Sequence, residues 1–251
     1  MSVVTLEVQD HVATLRLALP DARFDRGALD ALSAAATELR GRTADVYAVV
    51  VASGADFGSG WSAAALGEDV IAGLPPLGAT FDAVAAIPQP VVAAIRGEAA
   101  SAGLELALAC DIRVAAQGAR FAMPETSLGV VPRGGGTQRL PRAIGRAHAL
   151  RMLLTGEAVD ATEALRIGLV SELASDADLE TAALAIATTI ASRGPIATRL
   201  AKEAVRRGSE LPLAEGLRAE LDLTVILQTT ADRAEGVQAF VEKRPPRFEN
   251  R

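Results

Sequence analysis

Apolar residues change their period several times along the chain, and each change predicts an element. Between Val3 and Leu19 they alternate with polar residues and are interrupted by Gln9-Asp10, which predicts two short strands around a turn. From Gly27 to Leu39 the spacing becomes helical, with Leu29, Leu32, Ala35, Ala36 and Leu39 on one face and Gly41 at the end. "VYAVVVAS" from Val46 is a continuous apolar run of strand length, the pattern of a strand covered on both faces. A Gly- and Ser-rich bend, "GADFGSGWS", follows it. Next come a segment with Pro75, Pro76 and Gly78 and a helix near Ala79 to Ala86.

"PVVAAI" from Pro90 and "DIRVAA" from Asp111 read as further buried strands, with a short helix from about Ala102 to Ala109 between them. Past "ARFAMPETSLGVVPRGGG" the pattern is mainly helical, over 136–144, 147–154, 161–167, 176–192, 195–208, 212–230 and 233–243. Strands alternating with helices, then a helical tail, predict an α/β fold. Its core spans residues 1–192 and a C-terminal helical extension spans 193–251, with the break at Ser192-Arg193-Gly194-Pro195.

Composition narrows the function classes. The 251 residues are 50% hydrophobic, enough for a sizeable core, and carry a net charge of −6. That balance argues against a binder of nucleic-acid backbone, which needs a basic face. Only Lys202 and Lys243 are lysines, and this low-Lys, Ala-rich composition reads as the mark of a GC-rich genome rather than of chemistry. Cys110 is alone and His11 and His148 are the only histidines, which weighs against disulfides, multi-cysteine metal sites and histidine bases. The start of the chain lacks a basic region followed by a long apolar block, and no apolar run approaches about 18 residues. The chain therefore reads as soluble and intracellular, with a cytoplasmic location and no membrane partner.

One charge stands out. Glu105 lies in "SAGLELALAC", where every neighbour is small or aliphatic, and a buried carboxylate costs several kcal/mol without a partner or a task. Helix capping or an ion pair would explain it, and so would chemistry. Glu125, fixed by Pro124 and flanked by apolar residues, is the second such carboxylate. Two carboxylates in a dry cleft are a means of holding one water and managing two protons. "GGG" at Gly134–Gly136 lacks the Lys-Ser/Thr of a phosphate loop and reads as a tight turn before a helix. "GSGWS" is no nucleophile elbow.

These stretches together resemble the enoyl-CoA hydratase/isomerase, or crotonase-like, family. The resemblance is carried by "ADFGSGWSAAAL", "PVVAAIRGEAASAGLELALACDIRVAAQGARFAMPETSLGVVPRGGGTQRLPRAIG", "LTGEAVDATEALRIGLV" and "AFVEKRPPRF", in that order over nearly the whole chain. It implies a spiral of ββα units closed by helices that build a homotrimer or a dimer of trimers. It implies an acyl-CoA substrate, with no metal and no cofactor beyond that thioester. Two backbone N–H groups, on Trp61 and Ala102, would grip the thioester carbonyl. Glu105 would activate water and Glu125 would exchange the proton at the α-carbon. Contacts to CoA would come from Ala22, Arg23, Ser59, Trp61, Ala64, Gly103, Pro124 and Lys243.

The chain also departs from the family pattern. Ser62 and Ala64 stand where an acid and a basic residue are common, and Arg23, Phe24 and Asp25 replace the small residues and Asn that cradle adenine. The indole of Trp61 is bulky for its place and is expected to narrow the acyl pocket. Enoyl-CoA isomerase chemistry and a non-catalytic acyl-CoA-binding role are the competing readings.

Overall fold

The computed structural model describes residues 3–67 and 78–251. The segment read around Pro75 and Pro76 lies outside them. In chain order the strands are β1 (Val4–Gln9), β2 (Val12–Leu17), β3 (Arg23–Phe24), β4 (Ala48–Ser53), β5 (Gly60–Trp61), β6 (Val91–Ile95), β7 (Glu98–Ala100), β8 (Ile112–Ala116), β9 (Arg120–Ala122), β10 (Val159–Asp160) and β11 (Glu172–Ala174). The helices of the first half are α1 (Arg26–Gly41), α2 (Ala63–Gly67), α3 (Ala79–Ala85), α4 (Ala102–Ala109) and α5 (Gly136–Ile144). Those that follow are α6 (Arg146–Thr155), α7 (Ala161–Arg166), α8 (Leu179–Ala191), α9 (Pro195–Gly208), α10 (Leu213–Gln228) and α11 (Ala231–Glu242).

The units repeat as strand, strand, helix: β2-β3-α1, β4-β5-α2, β6-β7-α4 and β8-β9-α5. Their first strands lie side by side in one six-stranded sheet of order β1-β2-β4-β6-β8-β11, parallel except for the β1–β2 hairpin. Their second strands pair separately, β3 with β5 and β7 with β9, and a parallel bridge between Gly58 and Ala99 links the two pairs. The chain thus advances one unit per turn of a spiral.

The continuous apolar runs are continuous for the expected reason. Val49, Val51, Val91, Ala93 and Ile95 face a core with α1, α3 and α4. Val50, Ala52, Val92 and Ala94 face α8, which offers Leu179, Ala183 and Ala187. Alanines on both partners let this helix lie close to the sheet.

Helix α4 is buried along its whole length. The end opposite the site is closed by Arg113, whose Nη1 donates to Cys110 O at 2.9 Å while its Nε donates to Leu169 O at 2.6 Å. A guanidinium there complements the negative end of the helix dipole. The predicted break at 192–195 falls in the link between α8 and α9. Beyond it α9 is tied back to the core by Lys202, whose Nζ lies 2.6 Å from Asp111 Oδ2 and 3.0 Å from Gln89 O. Among the described residues no helix is long and apolar enough to cross a membrane.

Candidate functional site

The site is built where glycines let two backbones meet. A Cβ on Gly103 would lie 2.1 Å from Gly58 O, so the first turn of α4 rests directly on the loop that enters β5. Gly60 has φ +124°, a conformation that L side chains rarely adopt, and a Cβ there would lie 3.3 Å from Ser101 Cβ. The bend read as "GADFGSGWS" therefore brings the β5 peptide of Trp61 against the start of α4.

Both expected donors are oriented by these contacts. Ser101 turns into α4 at φ 51° and ψ −120°, its N–H donates to Ala122 O at 3.0 Å, and its side chain caps nothing. The first intrahelical bond runs from Glu105 N–H to Ser101 O at 2.9 Å. The N–H of Ala102 precedes it and lies at the positive end of the dipole. Just past β5, Ser62 N–H donates to Phe24 O at 2.8 Å. Successive strand N–H groups alternate in direction, so that of Trp61 points away from β3.

Glu105 lies one turn into α4 and is fully buried. Its Oε1 accepts from Gly134 N–H at 2.7 Å and Gly136 N–H at 2.9 Å. A Cβ on Gly134 would sit 2.6 Å from Oε2, and one on Gly136 would sit 3.1 Å from Oε1. The glycine triplet is thus a nest for a carboxylate of the chain itself. Burial pushes Glu105 up to about 7, while the two backbone donors and the charge of Arg139 pull it down and Glu125 pushes the same way as burial. Glu125 is buried on a single 3-10 turn, Glu125–Leu128. Glu105 Oε2 and both carboxylate oxygens of Glu125 are buried without a hydrogen-bond partner among the described residues. Glu125 is near enough for its charge to act on Glu105, and unpartnered carboxylate oxygens of this kind can receive a water and a proton, which is acid–base chemistry.

An aromatic wall adjoins the carboxylates. The Trp61 and Phe81 rings are 5.9 Å apart, Phe81 stands edge-on to Phe24 at 5.8 Å, and a Cβ on Gly134 would meet Phe81 at 2.5 Å. Arg139 holds the glycine nest from behind, donating through Nη1 to Gly134 O at 2.8 Å and through Nη2 to Asp82 of α3. A reaction that needs Glu105 ionised should gain kcat/KM as pH rises through about 7. Arg139→Gln removes a cation that lowers this pKa, so the midpoint of the profile should move upward. A midpoint that stays in place would show that Arg139 leaves Glu105 alone.

The remaining predicted residues divide. Ala22 and Ser59 are joined by a 2.7 Å hydrogen bond from Ser59 N–H to Ala22 O, and Arg23 Nη1 donates to Trp61 O at 3.2 Å. These three gather at β3–β5. Ala64 is exposed on α2, and Ser62 Oγ caps that helix by accepting from Ala65 N–H at 3.2 Å. Gly103 is buried against Gly58, and Pro124 leads into the turn that carries Glu125. Lys243 is exposed at the end of α11, and no hydrogen bond or ion pair among the described residues ties it to the β3–β5 cluster. Of the three residues that stand in the adenine segment, Phe24 is core and Asp25 caps α1 by accepting from Ala28 N–H at 2.8 Å. Only Arg23 faces outward.

Sequence reasoning missed Gly134, Gly136, Arg139 and Phe81. The signal was present, since a glycine triplet before a helix offers N–H groups to an anion. The anion is Glu105, 29 positions earlier than Gly134.

A family model described as "Enoyl-CoA hydratase/isomerase" matches residues 8–251. A probable enoyl-CoA hydratase, echA8, of Mycobacterium tuberculosis (strain CDC 1551 / Oshkosh) is 49% identical over 173 residues, 69% of this chain and 67% of that protein. The (E)-benzylidenesuccinyl-CoA hydratase of Thauera aromatica is 40% identical over 258 residues, covering 98% of both. A crystal structure of an enoyl-CoA hydratase from Geobacillus kaustophilus HTA426 superposes with TM-score 0.94 at 32% identity, covering 100% of this chain and 98% of that one.

Proposed function

Because this chain belongs to the enoyl-CoA hydratase/isomerase family, we propose that it catalyses the reversible syn addition of water to a 2-enoyl-CoA thioester, as a cytoplasmic homotrimer. The thioester carbonyl accepts from the N–H groups of Trp61 and Ala102. Glu105 takes a proton from water, whose oxygen bonds the β-carbon. The resulting enolate oxygen is held by the two donors, and protonated Glu125 delivers a proton to the α-carbon. Glu105 ends protonated and Glu125 ionised, and solvent resets the pair. Arg23, exposed beside β5, is positioned to meet a CoA phosphate.

The observation that carries this reading is the pair of buried carboxylates, Glu105 in the first turn of α4 and Glu125 on its 3-10 turn, with three oxygens that have no hydrogen-bond partner among the described residues. An isomerase needs one carboxylate as a proton shuttle, whereas here a second has its own glycine nest. The name of the Thauera aromatica relative supports hydration of a CoA thioester. For the trimer, α10 exposes Leu213, Leu217, Leu221 and Val225 at four-residue spacing, a stripe that a second copy would cover.

The test is crotonyl-CoA and a longer 2-enoyl-CoA mixed with the wild type, followed by loss of ultraviolet absorbance and by product mass. Gain of one water supports the hydratase. A shifted double bond at unchanged mass would make it an isomerase, and binding without turnover would make it an acyl-CoA carrier. A monomer's mass by light scattering would remove the trimer from this reading.

A further inference from the structure

We infer that Arg133 recognises a carboxylate at the far end of the acyl group, so that the preferred substrate is the CoA thioester of an unsaturated dicarboxylic acid. This rests on the acyl-CoA reading above and names its substrate class.

On that reading the carbonyl lies at the Trp61 N–H and the β-carbon lies at Glu105, so the acyl chain runs past whatever adjoins both. Arg133 adjoins both. Its guanidinium stands 5.8 Å from the centroid of the Trp61 ring, and its chain neighbour Gly134 binds Glu105. The wall between is aromatic, from Trp61 and Phe81, and suits methylene groups rather than a charge. A cation at the end of such a wall has one obvious use.

The hydrogen bonding of Arg133 leaves room for that use. A guanidinium has five N–H donors, and among the described residues Arg133 spends one, Nη2 to Ala65 O at 3.3 Å. No carboxylate of the described residues pairs with it. Arg133 borders a recess of about 420 Å³ in which the other charges are matched, Arg139 with Asp82 and Arg142 with Glu210 at 3.5 Å. Among the described residues Arg133 is the cation of this group without a carboxylate partner, half-buried and close to an indole ring. A cation near the ring is held by the negative face of the indole, and its planar fork suits two-point recognition of a carboxylate.

The test separates binding from chemistry. Adipyl-CoA and hexanoyl-CoA are unreactive, have six acyl carbons each and differ by the terminal carboxylate. By calorimetric titration the wild type should bind adipyl-CoA about ten- to a hundredfold more tightly. Arg133→Met should erase that preference in a protein of unchanged circular dichroism, and Arg133→Lys should keep part of it. Equal affinities in the wild type, or a preference that survives Arg133→Met, overturn the inference. Hydration of 2,3-dehydroadipyl-CoA and hex-2-enoyl-CoA is then measured on the same samples. Equal turnover of the two, with equal binding, leaves the hydratase reading standing and removes the role of Arg133. A binding preference without hydration of either does the reverse.

Discussion

Glutamine in place of Glu105 should lower kcat for 2-enoyl-CoA hydration by about 10²–10⁴-fold, the range of a lost general base, with KM little changed. The substitution is nearly isosteric. The retained side-chain oxygen can still accept from Gly134 and Gly136, so the nest stays occupied and α4 stays in place. What disappears is the ability to take a proton from water. Stability should move the opposite way. Burial raises the folded-state pKa of Glu105 to about 7, above its ordinary value of 4.5. Between those values the folded chain holds a proton that the unfolded chain has lost, so wild-type stability falls as pH rises through that window. The glutamine variant lacks this loss and should be the more stable protein at pH 8 by urea denaturation. Hydration that survives the substitution would assign the chemistry to Glu125 alone and turn the reading toward isomerisation.

A second large effect is expected from Gly103→Ala. The added Cβ would lie 2.1 Å from Gly58 O, 2.7 Å from its C and 2.8 Å from its Cα, all backbone atoms that cannot swing aside. Either the loop entering β5 or the first turn of α4 must shift. The loop leads directly into Trp61 of β5 and the turn carries Ala102, so the spacing of the two N–H groups changes in both cases. Loss of one such donor costs about 10²–10³-fold in rate, and overpacking of this kind costs about 1–3 kcal/mol in stability. Gly118, with nothing within 4 Å of its would-be Cβ, is the control, and Gly118→Ala should alter neither. If Gly103→Ala retained full kcat/KM, the two N–H groups would not be the carbonyl grip.

Long elements were legible in the sequence because their periods are long enough to read. The run from Val46 showed a strand buried on both faces, and α8 and the main cores account for each face. The second strands of the units were not legible. β3 and β5 have two residues each, and β7 and β9 have three, too few to display an alternation. Yet these short strands set the site, since they carry Trp61 and deliver the chain to Ser101 and Pro124. Glu105 and Glu125 announced themselves as charges in apolar company. The glycine nest did not, because its ligand is distant in sequence and a tight turn explains three glycines equally well. Arg133 and Arg139 look alike in "VPRGGGTQRL", and only folding shows that one is paired with Asp82 and the other is not.

The placement of Ala102 and Glu105 on one short helix has a consequence for regiochemistry. Three residues of α-helix rise about 4.5 Å, and α4 is packed on every side and closed at its far end by Arg113. The helix is therefore a ruler between the point that would hold the carbonyl oxygen and the point that would deliver the hydroxyl. An alkene one carbon further along the acyl chain would present its carbons beyond the mark, whatever its intrinsic reactivity. Which carbon is attacked would then be decided by the pitch of a helix.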